Sequence, residues 1–235
     1  MSTIINLEIF SRDSKMDKDL KENVLTTGTS LVGIVCKDGV VLASDRKATL
    51  GGQIVADKNF SKTTKINNYL VMSMAGTVSD AQVNTKLIAA QLKIKELRDK
   101  KRPTVSESAN FIATMKFQNI RRPTMIPSIV GNLIAGVDED GTTALYNVSP
   151  DGAIKETEEY DAAGSGMLFI WGLLERRYKK DLTIEEGIEL AIEGIKSSSE
   201  RDTASGCGVD VFTITKEGIE HVAKQTVEQV YKEQD

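Results

Sequence analysis

The chain has 235 residues, of which 40% are hydrophobic and 27% are charged, and its formal net charge at pH 7 is −4. This length and composition predict one globular domain with a substantial core and exclude collagen-like and low-complexity classes. No basic patch interleaved with aromatic residues indicates nucleic-acid binding, and no apolar run reaches the ~18 residues that a membrane-spanning helix needs.

The cysteines and the first residues indicate the compartment. Cys36 and Cys207 are too few for a disulfide framework and lack the spacing of metal ligands, so we expect both to be small buried hydrophobic residues in a reducing compartment. The leader MSTIINLEIFSRDSKMDKDLKE mixes both charge signs and lacks the basic-then-apolar order of a secretory signal. The sequence therefore predicts a cytoplasmic protein.

The predicted elements begin after this leader with strands. Residues 31–36 and 40–44 are apolar runs joined by Lys37-Asp38-Gly39, and an Asp-Gly pair between such runs is typical of a β-hairpin. The run at 69–76 is almost continuously apolar, which predicts a further strand covered on both faces.

Two helices are predicted next. Thr104-x-x-Glu107 fits a capping box and opens a helix that runs to about Phe117. Ser79-x-x-Gln82 fits another capping box at the start of the preceding helix. That earlier helix carries a stripe at the spacing of an amphipathic helix, formed by Val83, Leu87, Gln91, Ile94 and Leu97.

The second half of the chain repeats the order of strands followed by helices. Its predicted elements are a hairpin over 128–137 and 142–148, a helix over about 166–178, a helix capped by Thr183-x-x-Glu186 over about 184–199, and strands at 208–215 and 219–223.

This order predicts the fold class. Short links between strands favour antiparallel pairing, because parallel neighbours need long crossovers. Strands that are nearly continuously apolar must be covered on both faces. The sequence therefore predicts an α+β fold, a four-layer αββα sandwich in which two packed antiparallel sheets are flanked by helices.

Elimination narrows the chemistry. His221 is the single histidine, and we interpret it as a surface residue at a strand edge because no nucleophile motif points to it. The sequence contains no zinc-site or phosphate-binding pattern, so we expect no metal and no cofactor. An unusual base remains available, a backbone α-amino group with an ordinary pKa of about 7.7–8.0, which can activate a threonine that carries it.

Five segments together resemble a known family. They are TTGTSLVGIVCKDGVVLASDRKAT, IVADKNFSKTTKI, MSMAGTVSDAQ, GSGMLFIWGLLE and RDTASGCGVDVF. In order and spacing they resemble 20S proteasome β subunits of the archaeal type, threonine peptidases of the N-terminal nucleophile (Ntn) hydrolase superfamily. The resemblance extends from Thr29 to the mid-220s, and it implies the Ntn hydrolase fold.

The resemblance implies how the chain is divided. Residues 1–28 would be a propeptide removed by autoprocessing at the Gly28–Thr29 bond, and residues 29–235 would be the catalytic domain. Thr29 would be the nucleophile, and its freed α-amine would accept the proton of its own hydroxyl.

The resemblance also implies a carboxylate and a lysine beside that amine. Asp45 would keep a lysine charged, and the lysine would lower the pKa of the amine. Lys62 occupies the family position, four residues before Ile66. Lys58 and Lys65 lie nearby and leave an alternative open, but the spacing to Ile66 favours Lys62.

Further positions match the family's oxyanion and outer hydrogen-bonding groups. The backbone N–H of Gly76 would stabilise the tetrahedral oxyanion. Ser165, Asp202 and Ser205 would form hydrogen bonds around the threonine amine. The substrate pocket would be lined by Ala48, Phe60, Thr64, Met74 and Val78. This mostly apolar lining favours cleavage after hydrophobic residues. The alternative is that the bulky Phe60 side chain narrows the pocket.

The implied function is ATP-independent threonine endopeptidase activity on unfolded proteins inside a ring chamber. The implied partners are other β subunits in heptameric rings, α subunits, unfolded polypeptide substrates and an ATP-dependent regulatory particle. Leu31 stands where relatives commonly have a third threonine, so a poorly processed or inactive structural ring subunit is an alternative. A third hypothesis is that the chain is another amidase of the Ntn hydrolase superfamily.

Overall fold

The computed structural model describes residues 25–26, 28–50, 52–124 and 127–226. The predicted propeptide therefore lies outside the described residues except at 25–26 and 28, as does the end of the predicted catalytic domain after residue 226. Within the described ranges, none of the helices combines the length and apolarity that crossing a bilayer demands.

Strands and helices alternate along the chain in the predicted order. The strands are β1 (Leu25–Thr26), β2 (Leu31–Cys36), β3 (Gly39–Asp45), β4 (Ala48–Leu50), β5 (Ile54–Asp57), β6 (Thr63–Lys65), β7 (Leu70–Gly76), β8 (Val130–Val137), β9 (Thr143–Val148), β10 (Ile154–Glu156), β11 (Tyr160–Ala163), β12 (Gly208–Thr215) and β13 (Gly218–Thr226). The helices are α1 (Val78–Asp99), α2 (Val105–Arg121), α3 (Met167–Arg177) and α4 (Ile184–Ser199).

Antiparallel pairing joins the described strands into three sheets. Sheet I has the order β11-β2-β3-β12-β13 and sheet II the order β10-β9-β8-β7-β6. A small sheet of β1, β4 and β5 stands apart from them. The predicted β2–β3 hairpin is present and closes with Cys36 opposite Gly39, so its two turn residues are Lys37 and Asp38 and Gly39 is the first paired residue of β3.

Side chains of sheet I point alternately to its two faces, and each face packs into a separate hydrophobic core. On β3, Val40 and Leu42 pack between the two sheets, whereas Val41 and Ala43 face α3 and α4. Helices α1 and α2 cover the other face of sheet II. Because side chains alternate across a strand, a strand between two apolar layers is hydrophobic on both faces. The predicted four-layer αββα sandwich is confirmed.

The predicted start and stripe of α1 are wrong. The N-cap is Thr77, two residues before the predicted cap Ser79, and it makes no side-chain capping bond; the helix begins at Val78. The apolar members of the predicted stripe are exposed, and the buried positions are Ala81, Ile88 and Leu92. Val83 lies about 200° around the helix from Ala81, since each residue turns 100°. Apolar residues occur on both faces of α1, so periodicity alone could not choose the buried one.

The other capping boxes are confirmed, and some details change. In α4 the Glu186 N–H donates to Thr183 Oγ1 at 3.2 Å, and the Thr183 N–H donates to Glu186 Oε2 at 2.8 Å. Thr104 and Glu107 pair in the same way at the start of α2, which continues past Phe117 to Arg121. The sequence did not predict the short strands β1, β4, β5, β6, β10 and β11.

The cysteines and the histidine differ in how well they were predicted. Cys36 is buried, and burial raises the pKa of its thiol to about 12. Cys207 is only partly buried, so its prediction as a buried residue is wrong. It lies in the loop just before β12, with φ 64°, and so is not one of the alternating strand positions that face a core. His221 is exposed on the edge strand β13 as predicted, and its ring stacks on Phe212.

The capping boxes give a direct test of helix stabilisation. We expect Thr183→Ala to lower the free energy of unfolding by about 1 kcal/mol, because the N-terminal amides of α4 lose their side-chain acceptor. Urea unfolding measures the change. Ser79→Ala is the matched control, and an equal loss there would contradict the observed absence of a Ser79 cap.

Candidate active site

Thr29 lies at the entrance to β2 and is fully buried. Its backbone N–H donates to Ser165 Oγ at 3.0 Å, and its carbonyl accepts from the Gly166 N–H at 3.2 Å. Both partners come from the turn between β11, which pairs with β2, and α3. The fold therefore places the residue 29 backbone nitrogen against a hydroxyl 136 positions later in the sequence.

Asp45, the last residue of β3, accepts four hydrogen bonds. Its Oδ1 accepts from the Ser30 N–H at 2.9 Å and from Lys62 Nζ at 2.7 Å. Its Oδ2 accepts from the Gly206 N–H at 2.9 Å and the Lys47 N–H at 3.1 Å. Four donors on two oxygens suit the ionised carboxylate, and they fix its orientation toward Lys62.

Lys62 is the second charge of this buried pair. Its side chain is 0% exposed, and its Nζ donates to Asp45 and to the carbonyl oxygen of Gly28. Burial lowers the pKa of Lys62, and the Asp45 carboxylate opposes that shift. Burial likewise raises the pKa of Asp45, opposed by Lys62 and the backbone donors. Lys58 and Lys65 are exposed, so the fold brings only Lys62 of the three to Thr29.

A hydrogen-bonded chain of side chains surrounds the Thr29 nitrogen. Ser165 Oγ and Ser205 Oγ each donate to Asp202 Oδ2 at 2.6 Å. Ser30 Oγ donates to Ser205 Oγ at 2.8 Å. The three residues predicted as the outer group are thus connected to one another, and through Ser165 to Thr29.

Two glycines occupy positions where a side chain would collide with backbone. Gly76 ends β7 with φ 150°, and a Cβ there would lie 2.3 Å from the Ile129 carbonyl oxygen. A Cβ on Gly28 would lie 1.7 Å from Ala204 Cβ and 2.7 Å from Ala204 Cα. Real Cβ atoms do not approach so closely, so the packing admits only glycine at both positions without a shift of the neighbouring backbone.

The residues predicted for the substrate pocket come from several elements. Ala48 begins β4 and is buried, and Thr64 and Met74 lie in the neighbouring strands β6 and β7. Phe60 is partly buried and its N–H donates to the Arg46 carbonyl at 3.1 Å. Val78 is the partly buried first residue of α1. Their role as a pocket stays a prediction.

Ser30, Lys47 and Gly206 were not identified from the sequence. All three donate backbone N–H groups to Asp45. Backbone donors leave no trace in residue type, so no sequence pattern singles out Ser30 or Lys47. Gly206, in the segment RDTASGCG, has φ 132°, and the glycines of that segment are the one sequence signal that could have indicated it.

This arrangement supports acyl-transfer chemistry at residue 29. A hydroxyl-bearing residue is held beside a buried ammonium, and the Gly28 carbonyl lies within hydrogen-bonding distance of that ammonium. No group of three or more histidine, cysteine or acidic residues in the described ranges could hold a metal ion. A four-layer αββα sandwich, with a buried Lys–Asp pair beside a threonine at the start of an inner strand, defines the class of Ntn hydrolases.

Comparison with known proteins agrees with this class. The family description "Proteasome subunit" matches residues 25–214. A protein named proteasome subunit beta from Methanobrevibacter smithii is 39% identical over 89% of this chain and 98% of its own length. Those of Nanoarchaeum equitans and Archaeoglobus profundus are 40% and 38% identical, over 82% and 86% of this chain and 95% and 92% of their own lengths. The chain belongs to the proteasome subunit family.

The buried pair makes a prediction about stability. We expect Asp45→Asn to lower the free energy of unfolding by about 3–5 kcal/mol, because it leaves the Lys62 ammonium buried without its counterion. Chemical denaturation of the purified chain measures the loss. Asp99→Asn, at an exposed ion pair with Lys95, is the control and should leave the midpoint unchanged. A similar small effect for both would show that Lys62 is not held as a charged partner.

Proposed function

We propose that the chain is a proteolytic β subunit of a 20S proteasome core and a threonine endopeptidase with Thr29 as nucleophile. The observation that carries the proposal is the buried Lys62–Asp45 pair, whose ammonium reaches the Gly28 carbonyl next to Thr29. Family membership supports proteolysis, and the contacts around residue 29 support its mechanism.

Self-cleavage at Gly28–Thr29 is the first proposed step. The Thr29 hydroxyl oxygen attacks the Gly28 carbonyl carbon, the carbon–nitrogen bond breaks, and the nitrogen gains the hydroxyl proton. Lys62 donates to the oxygen on which negative charge gathers, the kind of contact that lowers such barriers. Water then hydrolyses the ester, releasing residues 1–28 with a terminal carboxylate and freeing the hydroxyl and amine of Thr29.

The freed amine is the proposed base of the mature enzyme. It takes the proton of the Thr29 hydroxyl as the oxygen attacks the substrate carbonyl, and it later gives that proton to the leaving amine. The Lys62 ammonium disfavours a second positive charge nearby and so lowers the pKa of the amine. Ser165, joined to Asp202, orients the nitrogen, and the Gly76 N–H is the proposed oxyanion donor.

The alternative hypothesis, a poorly processed or inactive structural ring subunit, is based on Leu31 in place of a third threonine. The Leu31 side chain is fully buried in the core between the sheets, so the missing threonine changes packing rather than the group around Thr29. The complete set of Thr29, Asp45 and Lys62 favours the enzyme. We extend the proposal to heptameric β rings between α rings, to unfolded substrates supplied by an ATP-dependent regulatory particle, and to the cytoplasm, which suits two free cysteines.

Substitution at the nucleophile and the lysine tests the mechanism. We expect Thr29→Ala and Lys62→Ala each to reduce peptide hydrolysis by about 10³-fold or more, since each removes a member of a group that acts as a unit. Lys65→Ala, at an exposed lysine three residues away, should retain full activity. Mass spectrometry of the assembled wild type should show a chain that begins at Thr29.

Three results would contradict the scheme. Wild-type turnover in Lys62→Ala would remove the proposed tuning of the amine. A persistent segment 1–28 in an assembled wild-type particle without peptidase activity would favour the structural ring subunit. Turnover of small amides that survives Thr29→Ala would indicate another nucleophile.

The packing of Gly28 predicts that processing is sensitive to a single methyl group. We expect Gly28→Ala to slow release of the leader, because its Cβ meets Ala204 and must displace the scissile carbonyl from Lys62. The rate is measured by following the intact mass with time. Gly172→Ala is the matched control, since a Cβ there meets nothing within 4 Å. Equal processing of Gly28→Ala and wild type would overturn the steric argument.

A further inference from the structure

A cavity of about 280 Å³ lies between α1 and α2, away from the Lys62–Asp45 pair. Its walls combine apolar side chains with amides and two cations. They are formed by Asn84, Leu87, Ile88, Ile112, Met115, Lys116, Gln118, Asn119, Arg122 and Ser128. None of these lining residues is acidic, so the cavity is positively charged.

Lys116 is the unusual member of this lining. It is only 7% exposed, yet it carries an ammonium group. Among the described residues, the Lys116 ammonium donates a hydrogen bond to the Val130 carbonyl. An ammonium has three N–H donors, so this bond uses one of the three. Burial lowers the pKa of Lys116 to about 8. A buried cation without a counterion is costly, and such groups in clefts mark candidate binding sites.

The chemistry of the walls defines the ligand. An anion would compensate the charge of Lys116, and Arg122 lies at the exposed side of the cavity. The apolar walls of Ile88, Ile112 and Met115 favour a hydrocarbon body over a hydrated inorganic ion. We propose that this cavity binds a small carboxylate that carries an apolar chain, with Lys116 as its anchor.

The position of Val130 connects this cavity to the proposed active site. Val130 begins β8 and lies opposite Gly76 in the β7–β8 register. Asn119 Nδ2 donates to the Ser128 carbonyl at 2.8 Å, so the same helix also holds the residues before Val130. A bound carboxylate shares Lys116 with the Val130 carbonyl, next to the residue proposed as oxyanion donor.

Calorimetric titration of the full chain tests the site. The probes are hexanoate and N-acetylleucine, each against its neutral amide, hexanamide and N-acetylleucinamide. We expect at least one carboxylate to bind about tenfold more tightly than its amide, the difference that one charge-assisted hydrogen bond gives. The better probe indicates whether the natural ligand resembles a fatty acid or a peptide terminus.

The variants separate this site from general charge effects. Lys116→Met and Lys116→Gln should abolish the preference for the carboxylate, whereas Lys86→Met, at an exposed lysine of α1 outside the lining, should retain it. Burial lowers the pKa of the Lys116 ammonium to about 8, so this anchor loses its charge just above neutrality. Affinity for the carboxylate should therefore fall as the pH rises through about 8.

Three outcomes would overturn the proposal. They are equal binding of acid and amide, a preference that persists in both Lys116 variants, and no binding of either carboxylate to a wild-type chain whose fold is verified by circular dichroism. The assay needs no peptidase activity, so failure of the proposed function would leave the result interpretable.

Discussion

The buried contact between Lys62 and Asp45 is the interaction on which the rest of the site depends. Two charges are removed from water, and such a pair is stable only when hydrogen bonds satisfy the remaining polar atoms. Ser30, Lys47 and Gly206 supply those bonds from three separate segments. The pair therefore requires β2, β3 and the loop before β12 to be in place together, so the complete fold is a condition for the chemistry.

The inner strands of the sandwich hold the segments around the Lys62–Asp45 pair in place. Sheet I is apolar on both faces at β2 and β3, because one face meets sheet II and the other meets α3 and α4. The ends of these strands cannot move without disturbing two cores. Thr29 at the start of β2 and Asp45 at the end of β3 are thus held by packing that extends well beyond the site, which would preorganise them for the proposed catalysis.

The fold class and several local features were predictable, whereas individual long-range contacts were not. The hairpin turn at Lys37-Asp38 and the capping box at Thr183 involve near neighbours in sequence, so local residue types indicated them. The buried face of α1 depends on what packs against it, and the stripe beginning at Val83 was misassigned. The grouping of Thr29, Asp45 and Lys62 came from family resemblance. The contact between Gly206 and Asp45 spans 161 positions, and no periodicity reports it.

If the proposed self-cleavage takes place, the fit of Gly28 against Ala204 has a consequence for the uncleaved chain. While the leader is attached, Gly28 fills the space beside Ala204, and its peptide bond occupies the Thr29 nitrogen that would serve as base. Departure of the leader would open that space at the moment the amine is created. The same cleavage would therefore both empty the space beside Ala204 and create the basic amine. An uncleaved subunit would be blocked sterically beside Thr29 and would also lack its proton acceptor.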